Sequence, residues 1–310
     1  MEPESESGAD HGMQTVSAKP ALGFVGIGAM GKPIALNLLK SEYALTVYAR
    51  RADTAAELIK AGAQLAESPA AVARASEIVI TMVTTAADCE QVTLGAQGIV
   101  EGAARGSVVI DMATISPLAA RRIAETLSTR GIEHIDAPVS GGPMGARDAT
   151  LSIMAGGAPA VFARVKPLFE CMGKTILHMG DHGAGQVTKA CNQLSLTVTL
   201  QGVAEAMNLA ARCGVDPVKV REAMLGGFAA SRVLELFGKR MVERNFENGV
   251  DARFYHKDLN IVLGLTHELG LPSPAAAVTL QQINALVGSG GARSDFSRMI
   301  EVLERAGIAK

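Results

Sequence analysis

The sequence of 310 residues is defined first by what is scarce in it. It contains no tryptophan, and aromatic residues make up only 4% of the chain. Its 29 basic and 31 acidic residues nearly cancel to a net charge of −2, so the strongly basic surface of a nucleic-acid-binding protein is not expected. Its four cysteines show neither CxxC nor zinc-ligand spacing, which predicts reduced packing residues and no metal site.

Long apolar segments are also missing. The longest runs, such as residues 78–83, are too short to span a bilayer. Residues 1–18 are polar and acidic and lack the apolar centre of a signal peptide. We therefore expect residues 1–20 to form a disordered leader, the protein to be cytoplasmic, and its partners to include neither nucleic acid nor membrane.

A regular alternation of short apolar runs with alanine-rich stretches extends from residue 21 to about residue 180. The first five runs are nearly all apolar, as expected for parallel strands that helices cover on both faces. The alternation predicts a doubly wound, Rossmann-like α/β domain over residues 21–182. The predicted strands are residues 22–25, 44–48, 78–82, 107–112, 134–137, 150–155 and 175–178, with a helix at 159–171 between the last two.

The pattern changes at Gly183, after which no strand signals follow. The segment from Gln186 to about Cys213 is apolar on nearly all sides and predicts a long buried helix. An all-helical second domain is therefore predicted over residues 183–310, and its apolar helix faces favour a homodimer, with a tetramer as the alternative. The further predicted helices are residues 217–224, 233–244, 257–269, 274–287 and 296–306.

The first predicted strand leads directly into a GxGxxG sequence. A strand precedes it, a helix follows it, and a second strand ends about twenty residues further on, which is the context of a dinucleotide-binding turn. Free N–H groups at the start of the helix suit a pyrophosphate. The alternative is a glycine-rich turn without a ligand. The predicted cofactor-binding residues of this turn are Gly26, Ile27, Gly28, Ala29, Met30 and Gly31.

Two arginines follow the second predicted strand. NAD-selective sites usually have an acidic residue here for the ribose 2′-hydroxyl, whereas arginine binds a 2′-phosphate. The chain has Ala49, which cannot accept that hydrogen bond, and then Arg50 and Arg51. This favours NADP(H) over NAD(H) as the cofactor. The alternative is that both arginines belong to a solvated turn.

Three further segments carry candidate groups for catalysis. Ser140, Gly141 and Gly142 follow the fifth predicted strand, and successive glycine N–H groups suit a substrate carboxylate, although a purely structural turn is equally consistent. Lys189 lies early in the long helix, with two amides, Asn192 and Gln193, three and four positions later on the same face.

A buried lysine is costly unless it has a partner or a function, so Lys189 is a candidate proton donor. The helix N-terminus and desolvation both favour its neutral amine. The alternative is a lysine that reaches solvent at the domain boundary. Lys257 and Asp258 begin another predicted helix, where the helix dipole alone explains the acid and Lys257 is available to an anion.

Five ordered motifs together resemble the β-hydroxyacid dehydrogenase family, the group that includes 3-hydroxyisobutyrate dehydrogenase. The resemblance covers about residues 21–310. The motifs are GFVGIGAMGKPIALNLLK at 23–40, DMATISP at 111–117, DAPVSGG at 136–142, GAGQVTKACNQ at 183–193 and KDL at 257–259.

The resemblance implies a fold like that of 6-phosphogluconate dehydrogenase, a helical domain that dimerises, and a site in the cleft between the domains. It implies that Lys189 is the catalytic lysine and that Ser140, Gly141 and Gly142 hold the substrate carboxylate, with Asn192 and Gln193 beside it. It places Thr114 near both nicotinamide and substrate, Lys257 against the cofactor, and Val83 and Thr84 along the nucleotide.

The implied reaction is NAD(P)H-dependent reduction of a small carboxylate-bearing aldehyde, with 2-hydroxy-3-oxopropionate (tartronate semialdehyde) as the expected substrate. The alternatives are oxidation of 3-hydroxyisobutyrate or threonate with NAD, and a dinucleotide-binding module without catalysis. The chain departs from the usual family pattern at Gln193, where a second asparagine is common, at Ala149, where glycine is common, and at Pro143 and Met144 beside the substrate loop.

Overall fold

The computed structural model describes residues 19–247 and 249–306. Within these residues, nine strands form a single sheet in the order β3-β2-β1-β4-β5-β6-β8-β7, with β9 paired to β8. The strands are β1 (Leu22–Val25), β2 (Leu45–Tyr48), β3 (Gln64–Leu65), β4 (Ile78–Thr81), β5 (Val108–Asp111), β6 (Glu133–Asp136), β7 (Val139–Ser140), β8 (Leu151–Gly156) and β9 (Gly173–Gly180).

The strands from β3 to β6 are all parallel, and β1, β4 and β5 are buried along their whole length. Their continuous apolar sequences fit this position, because helices cover both faces of the sheet. The predicted doubly wound parallel sheet is therefore confirmed. Two features were not predicted. The short strands β3 and β7, of two residues each, were absent from the prediction, and β8 runs antiparallel to β6 and β7.

The helices associated with the sheet begin at recognisable sequence signals. Ser68 and Ser116 accept hydrogen bonds from the third residue of their helices, each of which starts with proline, and Thr85 forms a capping box with Asp88. These helices are α1 (Gly31–Lys40), α2 (Ala56–Lys60), α3 (Pro69–Arg74), α4 (Ala86–Leu94), α5 (Ile99–Gly102), α6 (Pro117–Ser128), α7 (Gly142–Arg147) and α8 (Pro159–Glu170).

The chain after Gly180 is helical, as predicted, in the part that the structure describes. Its helices are α9 (Ala184–Arg212), α10 (Pro217–Leu225), α11 (Lys239–Glu243), α12 (Ala252–Glu268), α13 (Pro274–Gly288) and α14 (Ile300–Ala306). The 29-residue α9 is central, and α10, α12, α13 and α14 pack against it around an apolar core that includes Leu200, Val203 and Met207.

One predicted boundary in this half was wrong, and two predicted helices contain a turn of another type. The helix predicted at 233–244 is present as a continuous helix, in which a π-helical turn, Leu234–Gly238, leads directly into α11. The helix predicted from residue 257 begins at Ala252, whose N–H donates to the Ser294 carbonyl. The helix predicted from residue 296 begins as a 3-10 turn, Phe296–Met299.

The remaining expectations have mixed outcomes. Residues 1–18 of the predicted leader lie outside the described residues, and the division at 182/183 stays a prediction. All four cysteines are free, but Cys191 and Cys213 are exposed, so their interpretation as packing residues was wrong. Across residues 19–247 and 249–306, no helix is both long and apolar enough to cross a membrane, and no group of three or more His, Cys, Asp or Glu side chains is placed to hold a metal ion.

Candidate active site

The candidate site lies where the carboxyl ends of β1, β4, β5 and β6 meet α9 and α12. Parallel strands end at one edge of the sheet, so the segments that follow them are neighbours. The register pairs Val25 with Thr81, and Thr81 with Asp111. Side chains from α9 and α12 form hydrogen bonds with the segment after β5. The helical half of the molecule therefore packs against this edge of the sheet.

The glycine turn after β1 has the backbone geometry that its sequence requires. Gly26 has φ of +100°, and a Cβ there would lie 2.4 Å from the Met82 carbonyl oxygen. A Cβ on Gly31 would lie 2.0 Å from the Gly26 carbonyl oxygen, so α1 packs directly on the turn. A Cβ on Gly28 would meet no protein atom within 4 Å, which leaves the backbone open to a ligand at the start of α1.

The other residues of the turn differ in exposure. Ile27 is buried in the core, Ala29 is exposed, and Met30 immediately precedes α1 in a helical conformation. The exposed glycine and alanine backbone, together with the open space at Gly28, fits the pyrophosphate of a dinucleotide.

The predicted nucleotide contacts are arranged around this turn. Val83 Cγ1 would lie 3.0 Å from a Cβ on Gly26, so the segment after β4 adjoins the glycine turn. Thr84 is exposed beside it. Arg50 and Arg51 are exposed just beyond Tyr48, which pairs with Val25, and neither guanidinium forms an ion pair with a described residue. Both are therefore available to an anion at this edge.

The turn between β7 and α7 contains two residues with positive φ. Ser140 is half-buried in β7, Gly141 has φ of +130°, and Gly142 has φ of +63° and begins α7. A Cβ on Gly142 would lie 3.9 Å from Val250 Cγ2, so the loop before α12 faces this turn. The glycines allow a backbone path that other residues rarely adopt.

The structure brings Lys189, Asn192 and Gln193 together. The Lys189 ammonium donates to Gln193 Oε1 at 3.0 Å, and Asn192 Nδ2 donates to the same oxygen at 2.7 Å. Gln193 Nε2 in turn donates to Asp258 Oδ2 at 2.6 Å. Lys189 is only 7% exposed, so its charge is held inside the protein by one amide and a more distant carboxylate.

Burial is the main cause of a lowered pKa at Lys189, which falls from 10.5 to about 8. The Asp258 carboxylate opposes this shift, and the nearby Lys257 ammonium adds to it. An amine with this pKa exchanges its proton near neutral pH, as a general acid must.

Lys257 lies at the segment after β5. Its ammonium donates to the Thr114 carbonyl oxygen at 2.5 Å and lies 2.8 Å from Asp258 Oδ1. The interpretation of Asp258 as a first-turn residue explained by the helix dipole was wrong. Because α12 begins at Ala252, Asp258 is in the second turn, where it is buried and bonded to Gln193.

Two buried residues of the site were not singled out from the sequence. Asp136 Oδ1 accepts from the Gly183 N–H at 2.7 Å, and its Oδ2 accepts from the Gln186 N–H at 3.0 Å, so the carboxylate anchors the start of α9 to the end of β6. Burial raises the pKa of Asp136 to about 7, against the effect of these N–H groups. The sequence did offer one indication of Asp136, because a charged residue at the end of an apolar strand is costly to bury without a partner.

Gln186 is the second of these residues. Its Nε2 donates to the Ala113 carbonyl oxygen at 2.8 Å, and its Oε1 accepts from the Ile115 N–H at 3.1 Å. Its partners are more than 70 positions away in the chain, so no local sequence pattern identifies them.

Both halves of the chain match models of known families. Residues 21–180 match the NAD-binding domain of 6-phosphogluconate dehydrogenase. Residues 183–303 match the "NAD-binding of NADP-dependent 3-hydroxyisobutyrate dehydrogenase" family. With the glycine turn and the doubly wound sheet, these matches define an NAD(P)-dependent oxidoreductase that acts on hydroxyl groups.

The relatives identify the family. The chain is 41% identical over 283 residues to 2-hydroxy-3-oxopropionate reductase of Escherichia coli, covering 91% of this chain and 97% of that enzyme. The structure of 3-hydroxyisobutyrate dehydrogenase from Salmonella typhimurium matches with a TM-score of 0.83 and 28% identity over 91% of this chain and 99% of that one. A structure titled "Psf3 in complex with NADP+ and 2-OPP" matches with a TM-score of 0.81 and 25% identity over 91% and 100%. The chain belongs to the 3-hydroxyisobutyrate dehydrogenase-like family of β-hydroxyacid dehydrogenases.

Proposed function

We propose that the protein reduces 2-hydroxy-3-oxopropionate to glycerate with NADPH, and that Lys189 is the general acid. The observation that carries the proposal is the buried Lys189 ammonium, held by Gln193 beside the edge of the sheet where the glycine turns lie. Its pKa of about 8 suits proton donation at neutral pH. The substrate is suggested by the 41% identical reductase.

The glycine turn and the segments around it are the proposed cofactor site. Residues 26–31 hold the pyrophosphate, Val83 and Thr84 line the nucleotide, and Arg50 and Arg51 bind the 2′-phosphate. When bound, the reduced nicotinamide supplies the hydride. Lys257 contacts the cofactor while its ammonium stays bonded to the Thr114 carbonyl, so it holds the Thr114 segment and the cofactor together.

The proposed substrate site lies between the turn after β7 and the start of α9. Ser140, Gly141 and Gly142 bind the carboxylate, and Asn192 and Gln193 orient the rest of the molecule. The Thr114 hydroxyl contacts the reacting end. Lys189 then donates its proton to the carbonyl oxygen as negative charge develops there, which is typically worth about a hundred- to ten-thousand-fold in rate.

A panel of small semialdehydes and hydroxyacids, assayed with NADPH, NADH and their oxidised forms, tests this proposal. We expect the highest kcat/KM for 2-hydroxy-3-oxopropionate with NADPH. Preference for 3-hydroxyisobutyrate or threonate with NAD would replace the proposed substrate within the same family. Lys189→Ala should remove most turnover and leave NADPH affinity nearly unchanged; equal turnover in this variant would contradict the role of Lys189 and favour a different catalytic group.

The cofactor preference has its own test. Arg50→Ala removes a positive charge that a 2′-phosphate meets and a 2′-hydroxyl does not, so we expect the KM for NADPH to rise by about tenfold and the KM for NADH to change little. Arg130→Ala is the matched control. Arg130 is an exposed arginine just before β6, at the amino ends of the parallel strands and so away from the proposed cofactor site. Equal changes for both cofactors would refute the preference for NADP.

The proposed assembly is a homodimer, with a tetramer as the alternative. Several large apolar side chains of the helical half are exposed in the single chain, among them Leu209 of α9, which is 64% exposed, and Val278 of α13. A second copy of the chain is the proposed cover for these faces. Light scattering after size exclusion distinguishes one, two and four copies.

A further inference from the structure

The segment after β5 is held from the helical half by a glutamine. Gln186 is the third residue of α9 and is 1% exposed. Its Nε2 donates to the Ala113 carbonyl oxygen at 2.8 Å, and its Oε1 accepts from the Ile115 N–H at 3.1 Å. The two hydrogen bonds, which we call the amide clasp, lie immediately before and after Thr114.

The amide clasp engages both polar atoms of the side chain, the nitrogen as a donor and the oxygen as an acceptor. A buried amide is unfavourable unless both its donor and its acceptor are bonded, and here both are. The Gln186 backbone is also fixed, because its N–H donates to Asp136 Oδ2 at 3.0 Å. One residue therefore ties the start of α9 to the ends of both β5 and β6.

Thr114 is held on a further side by α12. Lys257 donates to the Thr114 carbonyl oxygen at 2.5 Å. The Ala113 carbonyl, the Thr114 carbonyl and the Ile115 N–H are thus all bonded to side chains of the helical half. The Thr114 hydroxyl, by contrast, makes no hydrogen bond with the residues that the structure describes, so it is the group left for a ligand.

We propose that Gln186 is a positioning residue of the reaction, which sets the Thr114 hydroxyl in register with the Lys189 ammonium. Gln186 and Lys189 are three residues apart on α9, about 4.5 Å along its axis, so a rigid helix turn links the clasp to the amine. This inference rests on the proposed function of Lys189. A misplacement of about 1 Å in such a group costs about a hundredfold in rate.

Two variants at residue 186 test the proposal. In Gln186→Met neither hydrogen bond can form, so we expect kcat to fall by about 10- to 100-fold at every pH, with the KM for NADPH within about threefold of the original. In Gln186→Glu the protonated acid can donate to Ala113 and accept from Ile115, whereas the carboxylate cannot donate. Its kcat relative to the original protein should therefore rise as the pH falls.

A matched control and an activity-independent measurement complete the test. Gln201 is another buried glutamine of α9, and its Nε2 donates to Glu205 of the same helix rather than to the Thr114 segment, so Gln201→Met should leave kcat unchanged. Hydrogen exchange of a peptide that contains Ile115 should accelerate in Gln186→Met and not in Gln201→Met.

The outcomes separate the two proposals. Unchanged exchange at Ile115, or full kcat in Gln186→Met despite a lower Tm, would overturn the positioning role. If the original protein reduces no substrate of the panel, the proposed function fails, and the exchange measurement still decides whether Gln186 holds the Thr114 segment.

Discussion

The charges around Lys189 give a prediction in which two substitutions have opposite effects on one pKa. Asp258 raises the pKa of the Lys189 ammonium, and Lys257 lowers it, while burial keeps it at about 8. Asp258→Asn removes the carboxylate charge but keeps an oxygen for Gln193 Nε2. We expect this variant to have a lower Lys189 pKa, and Lys257→Met to have a higher one.

The size of the Asp258 effect follows from the hydrogen bonds between the two charges. The Lys189–Gln193 and Gln193–Asp258 bonds are 3.0 Å and 2.6 Å. With the width of one amide between them, the charges are at most about 8 Å apart, which at an effective dielectric constant of about 20 gives at least about 2 kcal/mol, or about 1.5 pKa units.

The direction in which kcat changes with pH follows from the proposed role of Lys189. A general acid acts only in its protonated form, so kcat for reduction should be constant below about pH 8 and fall tenfold per unit above it. In Asp258→Asn this decline should begin at a lower pH. In Lys257→Met it should begin at a higher pH, even though NADPH binding is also weakened.

The assay measures kcat at saturating NADPH and aldehyde between pH 5.5 and 10. The result is the pH at which kcat begins to decline, called the alkaline limb, and not the absolute value of kcat. Glu268→Gln is the control, because Glu268 is an exposed acid at the far end of α12. A limb that stays in place in both variants, or moves in the same direction in both, would refute the assignment of Lys189 as the titrating acid.

Two further predictions concern stability. Burial lowers the pKa of Lys189 from 10.5 to about 8, so below pH 8 the folded protein contains a charged lysine at an unfavourable position. Lys189→Met should therefore be more stable than the original protein by about 3 kcal/mol at pH 7. This difference should shrink as the pH rises from 8 to 10.5. Thermal unfolding at pH 7 and 10 measures it, and a loss of stability at pH 7 would contradict the stated cost of burial. Ala149 has φ of +54°, so Ala149→Gly should raise stability by about 0.5–1 kcal/mol, whereas Ala277→Gly, at an exposed position inside α13, should lower it by about as much. A lower Tm in Ala149→Gly would show that this backbone strain is not relieved.

The parts of the protein that sequence alone predicted correctly depend on local chemistry. The apolar runs of β1, β4 and β5 identify buried parallel strands because both faces of such strands are covered. Gly26 and Gly31 are predictable because no other residue fits the backbone angle of the first or the close packing of the second. The cluster of Lys189, Asn192 and Gln193 follows from helical spacing within one helix.

Other features were decided only when α9 and α12 packed against the edge of the sheet. The partner of Lys257 is a carbonyl 143 positions earlier in the chain, and Asp258 became part of the Lys189 network because α12 begins at Ala252 rather than at residue 257. Gln186 and Asp136 acquired their roles through hydrogen bonds over 47 to 73 positions. Periodicity and turn chemistry describe neighbours along the chain, so they determined the elements of this enzyme, while the meeting of distant polar groups in a buried crevice was set by tertiary packing alone.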